Sequence, residues 1–161
     1  LIVAVLSDTH VPTRAGNLPG RVYEVCCEAD LVLHCGDFVE PDVYRDLQRF
    51  APIRGVLGNM DGYGLRAFLP ETLTFTVEGT LVCMTHGSGP RTGLRERVRS
   101  LFEPQNPGII LFGHSHRFTE YRESGLLMLN PGAVEGSRGN RSMALLTLEK
   151  GEEPQVEQIL F

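Results

Sequence analysis

Three short apolar runs separated by two helix-period segments constrain this chain more than any other feature. "LIVAVLS", "DLVLHCG" and "PIRGVLG" read as buried strands. Between the first two, "LPGRVYEVCCEA" sets Val22, Val25, Cys26 and Ala29 at helical spacing, with Pro19 near the start. Between the second and third, "EPDVYRDLQRF" opens on Pro41 and carries Val43, Leu47 and Phe50 as an inward stripe. This β-α-β-α-β order demands a parallel sheet with helices packed outside it.

The second half changes style. "TLTFTVEGTLVCMTHG" alternates Thr with Leu73, Phe75 and Val77, turns at Glu78-Gly79-Thr80 and returns as an apolar strand, which is a hairpin signature. A helix over "TGLRERVRSLFE" follows, with Leu94, Val98, Leu101 and Phe102 on one face. After "GIILFGHSH" come short strands around Tyr121 and Leu127, then "SMALLTLE" and "QVEQILF". No repeat, linker or low-complexity tract interrupts them. The expectation is one compact domain of two sheets with helices outside.

Bulk properties narrow the class. At 161 residues and 42% hydrophobic content the chain can bury a core without staples. A net charge of −5 argues against a general nucleic-acid or anionic-membrane binder. "LIVAVL" is too short to cross a bilayer and lacks a basic flank or cleavage site, so the chain reads as soluble and unexported. Cys26, Cys27, Cys35 and Cys83 show no C-x-x-C spacing and lie in apolar segments. They read as reduced, buried small hydrophobes, which points to the cytoplasm.

Each buried strand ends in groups able to bind a metal. "LIVAVLS" runs into Asp8-Thr9-His10, "LVLHCG" into Asp37, "IRGVLG" into Asn59, "LVCMT" into His86, and "IILFG" into His114-Ser115-His116. In an extended segment residues i and i+2 point the same way, so Asp8 with His10 and His114 with His116 each form a two-pronged clamp. Strand C-terminal ends border the ligand crevice of open α/β sheets, and the clamps are expected to converge there. Singly, an Asp after a strand is usually a turn former or helix cap. Four of five histidines at strand ends make the joint reading stronger. His34, inside its strand, reads as a packed histidine or one that orients a ligand.

Taken in order, "SDTH" at 7–10, "GD" at 36–37, "GN" at 58–59, "THG" at 85–87 and "GHSH" at 113–116 resemble the five blocks of the calcineurin-like metallophosphoesterases. With "HCGD", "GNMD" and "NPG" at 130–132, the chain is most similar to the small bacterial and archaeal phosphodiesterase branch. The resemblance implies a four-layer α-β-β-α sandwich of two packed mixed sheets, one calcineurin-like domain over residues 1–161. It also implies that Asp8, His10, Asp37 and His116 hold one metal, and that Asp37, Asn59, His86 and His114 hold the other, with Asp37 bridging. Imidazole with carboxylate and amide oxygen suits two divalent transition-metal ions, Mn²⁺ first, with Ni²⁺, Fe²⁺ or Zn²⁺ as alternatives.

Two such ions about 3.5–4 Å apart clamp the attacking and leaving oxygens in phosphate-ester hydrolysis. The expected reaction is in-line attack by a metal-bridging hydroxide on a small phosphodiester, with Asp37, Asn59, Asp61 and His86 as the catalytic set. Asn59 and His86 are also the expected substrate contacts. In many relatives a histidine follows the "GN" asparagine as proton donor; here it is Met60, which has no proton to give. Losing a general acid costs about 10²–10⁴-fold. In "GNMD", Asp61 reads as a carboxylate that orients a histidine, although Gly, Asn and Asp also suit a plain turn. Arg91, Arg95, Arg97 and Arg99 suit either a solvated helix face or the rim of an anion site, and Arg14 is open between the same two roles. A phosphomonoesterase and a catalytically weak scaffold for protein interactions, as in a retromer subunit of this fold, are the competing functions. A homo-oligomer remains open.

Overall fold

The computed structural model describes residues 1–136 and 140–161. Its strands are β1 (Ile2–Leu6), β2 (Leu31–His34), β3 (Ile53–Gly55), β4 (Thr72–Val77), β5 (Thr80–Thr85), β6 (Ile109–Leu111), β7 (Phe118–Glu123), β8 (Leu126–Pro131), β9 (Ser142–Thr147) and β10 (Gln155–Leu160). Helices are α1 (Gly20–Glu28), α2 (Pro41–Gln48), α3 (Tyr63–Arg66) and α4 (Leu94–Phe102). One sheet runs β10-β9-β1-β2-β3 and the other β4-β5-β6-β8-β7. Both are mixed: β1, β2 and β3 are parallel, as are β5, β6 and β8, whereas β10–β9, β9–β1, β4–β5 and β7–β8 pair antiparallel.

Strand alternation builds the layers. In β1, Val3 and Val5 face the second sheet and pack with Leu33, Val82, Met84, Ile109, Leu111 and Leu129. Ala4 and Leu6, on the opposite face, meet Val22, Val25 and Cys26 of α1 and Val43 and Leu47 of α2. On the far side of the second sheet, Cys83, Ile110 and Met128 pack under Leu94, Val98 and Phe102 of α4. Each such aliphatic side chain, fully buried, contributes about 1.5–3 kcal/mol. The four-layer α-β-β-α sandwich expected from the sequence is the fold observed.

The β4–β5 hairpin turns at Glu78-Gly79, where both residues have positive φ, as a two-residue hairpin turn requires. Three expectations need correction. Phe50 lies beyond the end of α2 and is largely exposed, because the helix stops at Gln48 before its stripe can include it. Cys27 is exposed, one position off the buried face of α1 that holds Cys26. Leu101 is 51% exposed on α4, since Val98 and Phe102 already fill the inward face. Among the described residues no helix is long and apolar enough to cross a membrane.

Candidate metal centre

Because β1, β2 and β3 run parallel in one sheet, and β5, β6 and β8 in the other, their C-terminal loops deliver side chains to one region. Backbone bonds lock the loops together. Asp8 N–H donates to Gly36 O, His10 N–H to Asp37 O, and Gly113 N–H to His86 O. Of nine described non-glycine residues with positive φ, five are Asp8, His10, Asp37, His114 and His116. That conformation is costly for ordinary side chains, so its concentration here marks a site whose geometry the surrounding fold imposes.

The carboxylates and imidazoles meet closely. His116 Nε2 lies 2.9 Å from Asp8 Oδ1, and His10 Nε2 lies 3.6 Å from Asp8 Oδ1 and 3.5 Å from Asp37 Oδ2. His86 Nε2 sits 3.2 Å from Asp37 Oδ2 and 4.0 Å from Asp8 Oδ1. Two groups have ligand atoms near enough to share an ion: Asp8, His10 and His116, and Asp8, Asp37 and His86. Asp8 is common to both, whereas the resemblance made Asp37 the bridge.

Asn59 is exposed on the β3 loop and lines the same cleft as His86. His114 stands outside both groups but against them: its ring centre is 5.2 Å from that of His86, and its N–H donates to Asp8 Oδ2. The expected site residues are therefore gathered at one place, with Asn59 and His114 at its margin.

Ring tautomers are set from behind. His86 Nδ1 lies 2.7 Å from the Cys35 carbonyl and His114 Nε2 lies 2.6 Å from the Gly89 carbonyl, so each donates rearward and its other nitrogen is the one left to meet an ion. His116 Nδ1 faces Glu135 Oε1 at 2.8 Å. Asp8 Oδ1, both nitrogens of His10 and His86 Nε2 are buried without a hydrogen-bond partner among the described residues. Buried polar atoms left unpaired are costly, and the nitrogen and oxygen donors gathered here suit a divalent transition metal.

Electrostatics follow from the crowding. Burial works against the Asp8 carboxylate, yet the imidazoles of His10 and His116 beside it hold its pKa far below the usual range. Asp37 is likewise lowered, with His86 outweighing burial. Burial alone would depress His86, but the nearby carboxylates of Asp37 and Asp8 raise it to about 9. His116 is raised against burial by Asp8 and Glu135.

Supporting residues occupy other places than expected. Asp61 orients backbone rather than a histidine, accepting from the N–H groups of Gly58 (2.7 Å), Val39 (2.7 Å) and Asp37 (3.2 Å). It thereby ties the β3 loop to the β2 loop. The side chain of Gly58 could not be larger, because a methyl there would overlap the Asp37 carboxylate. His34 is fully buried and stacked on Phe38, with ring centres 3.5 Å apart. Its Nδ1 accepts from Gly36 N–H and its Nε2 donates to Thr9 Oγ1, whose hydroxyl donates to the Asp37 carbonyl.

Some functional partners were missed in the sequence. Asn130 of "NPG" donates to Gly113 O (2.6 Å) and Ser115 Oγ (3.0 Å), pinning the "GHSH" loop. Glu135, a lone acid four residues beyond β8, had no periodicity or spacing to single it out. Arg14 pairs with Glu135 at 3.6 Å. Arg97 clamps the carbonyls of Gly87 and Pro90, Arg91 holds the His114 carbonyl, Arg95 lies over the Tyr121 ring, and Arg99 pairs with Glu123. Arg91 and Arg95 are exposed, as a solvated face requires, although each of the four holds a partner within the chain, and Arg97 also lines the cleft that contains His86.

Comparison with known proteins shows the family to which this fold belongs. A probable metallophosphoesterase of Methanothermobacter thermautotrophicus is 30% identical over 160 residues, covering 99% of this chain and 92% of that protein. A structure described as a novel archaeal phosphodiesterase superposes with a TM-score of 0.79 at 21% identity, covering 100% of both chains. Vps29 of Entamoeba histolytica, solved with zinc, superposes with a TM-score of 0.78 at 23% identity and 99% coverage of each chain. The family model for the calcineurin-like phosphoesterase superfamily domain matches residues 1–151, and the chain belongs to that superfamily.

Proposed function

We propose that this protein is a divalent-metal phosphodiesterase acting on small phosphodiesters, with residues 1–161 forming one catalytic domain. The observation that carries the reading is the set of buried, unpartnered donor atoms on Asp8, His10 and His86, turned toward one another between two carboxylates. Asp8, His10, Asp37, Asn59, His86, His114 and His116 would hold two transition-metal ions, Mn²⁺ first, which supply Lewis-acid charge and a water of lowered pKa.

The chain's own residues do the rest. His86 and His114 are held by the Cys35 and Gly89 carbonyls so that one ring nitrogen of each stays free to ligate. Asn59, exposed at the cleft edge, presents its amide to a phosphate oxygen. Hydrolysis forms one bond from water oxygen to phosphorus and breaks one ester P–O bond, with the water's proton ending on the departing oxygen. Met60 cannot deliver that proton, so the reaction favours leaving groups that depart as stable anions.

The test is a metal-reconstituted screen of aryl diesters, cyclic nucleotides and monoesters, with Asp37→Asn as control. Turnover of diesters above monoesters that is lost in Asp37→Asn is the expected result. Preference for monoesters would replace the reading with a phosphomonoesterase. A scaffold reading draws on exposed apolar side chains near the β3 loop, Tyr63 at 92% and Met60 at 44% exposure. Tight metal binding without turnover of any ester would favour it.

A further inference from the structure

A half-open cleft of about 720 Å³ adjoins the candidate metal centre, with Asn59 and His86 at the shared edge. That volume is within the range of small-molecule sites. Its character differs from the centre's. Leu57, Val98 and Leu101 supply an apolar lining, and Leu101 is the α4 residue that the helix turns away from its own core. Arg66 also lines the cleft. Its Nε donates to the Asp61 carbonyl at 3.1 Å, while its two terminal nitrogens make no hydrogen bond to described residues. Arg97 contributes a second positive charge and Glu71 a single negative one, so the lining is cationic on balance.

We propose that this cleft binds one ester arm of the substrate, and that the preferred arm joins an aromatic ring to a second anionic group. The inference rests on the phosphodiesterase reading and names its substrate class. A phosphorus centre at Asn59 and His86 puts one arm of a diester into the cleft. The apolar lining takes a flat ring, and the fixed Arg66 fork meets a carboxylate or phosphate at its far end. A plain alkyl arm leaves both features unused.

The experiment holds the leaving group constant. Methyl, phenyl and 4-carboxyphenyl esters of 4-nitrophenyl phosphate all release 4-nitrophenolate, so kcat/KM compares the retained arms. With metal-loaded wild-type protein, the phenyl arm is expected to exceed methyl by about tenfold or more, from the burial of a ring. The 4-carboxyphenyl arm is expected to exceed phenyl by about fivefold, from one charge-assisted contact. Arg66→Ala abolishes the second ratio, and Leu101→Asp, at a half-exposed helix position that tolerates a polar residue, inverts it.

Because Arg66 also braces the Asp61 carbonyl, Leu101→Asp supplies the reading should Arg66→Ala unfold. Calorimetric binding of 4-carboxyphenyl phosphate to metal-loaded wild type and Leu101→Asp gives a readout separate from turnover; weaker binding to the variant supports the proposal. Turnover with equal kcat/KM for all three arms, or ratios unchanged in both variants, overturns the cleft assignment alone. No turnover of any diester overturns the phosphodiesterase reading and the assignment with it.

Discussion

Glu135 Oε1 lies 2.8 Å from His116 Nδ1, and the other nitrogen of that ring is 2.9 Å from Asp8 Oδ1. A buried carboxylate behind an imidazole fixes its orientation and raises the basicity of the nitrogen in front. Arg14, at 3.6 Å, steadies the carboxylate from outside. Glu135→Gln keeps the shape and removes the charge. Metal affinity, measured by chelator competition, is expected to fall about 10–100-fold. Affinity equal to wild type would show that Glu135 does nothing for the ring.

Asp61 answers three backbone N–H groups from two loops, those of Gly58, Val39 and Asp37. Burial pushes its carboxyl pKa up, and those bonds work against the rise. Asp61→Ala strands the three donors in the interior, each loss costing about 1–3 kcal/mol and the sum less than additive. Urea denaturation is expected to register a loss of about 3 kcal/mol or more, with Asp61→Asn intermediate because one amide oxygen remains. A change within about 0.5 kcal/mol would mean that water replaces the carboxylate.

Much of this was legible in the sequence because two signals coincide. Short apolar runs identify the strands, and the polar residue after each run identifies its C-terminal end, so Asp8, Asp37, Asn59, His86 and His114 could be placed on one edge before any coordinates. Side-chain partners were less legible. Asp61 looked like a histidine's orienter, but its oxygens turned to backbone N–H groups that no sequence pattern reveals. Glu135 acts across a loop from His116 and carries no periodicity. Leu101 obeys the helical stripe in sequence, yet α4 needed only Leu94, Val98 and Phe102 to seal its core, and the cleft received the surplus.

His34 ties stability to pH. Burial lowers its pKa from 6.5 to about 3, so the folded protein keeps it neutral where the unfolded chain would protonate it. Between those values the unfolded state binds the extra proton. This contribution is complete above pH 6.5 and is lost as pH falls toward 3, at about 1.4 kcal/mol per unit. His34→Gln can keep the Thr9 and Gly36 bonds without titrating. The stability gap between wild type and variant, from denaturation at pH 7.5 and pH 5, is expected to shift by about 2 kcal/mol in the variant's favour at pH 5. A constant gap would sink the assignment.

Met60 offers a gain-of-function test. Its N–H donates to Asp37 Oδ1 at 2.7 Å, so the backbone belongs to the site, while its side chain is largely outside. Met60→His leaves that backbone bond in place and adds a titratable proton donor. For poor leaving groups the rate is expected to rise by up to about 10²-fold, at the low end of general-acid effects. Activated aryl esters gain little, so log rate against leaving-group pKa becomes shallower in the variant. Parallel lines would show that the new imidazole never reaches the departing oxygen.

Metal uptake itself must release protons. Burial alone would lower the His86 pKa, but Asp37 and Asp8 raise it to about 9, so the metal-free protein carries a proton there at neutral pH. An ion that takes the Nε2 lone pair has to displace that proton. Asp37, held below the ordinary carboxylate range, is already ionised and releases none. Affinity is therefore expected to climb about tenfold per pH unit from 7 toward 9 and then level off. Calorimetric titration at pH 7 in two buffers of different ionisation enthalpy counts the protons directly. About one or more leaves when the ion contacting His86 binds, with His116 adding to the count because its pKa is also raised. Buffer-independent heats would mean that His86 is neutral before the ion arrives, and that the two carboxylates do not control it as their distances indicate.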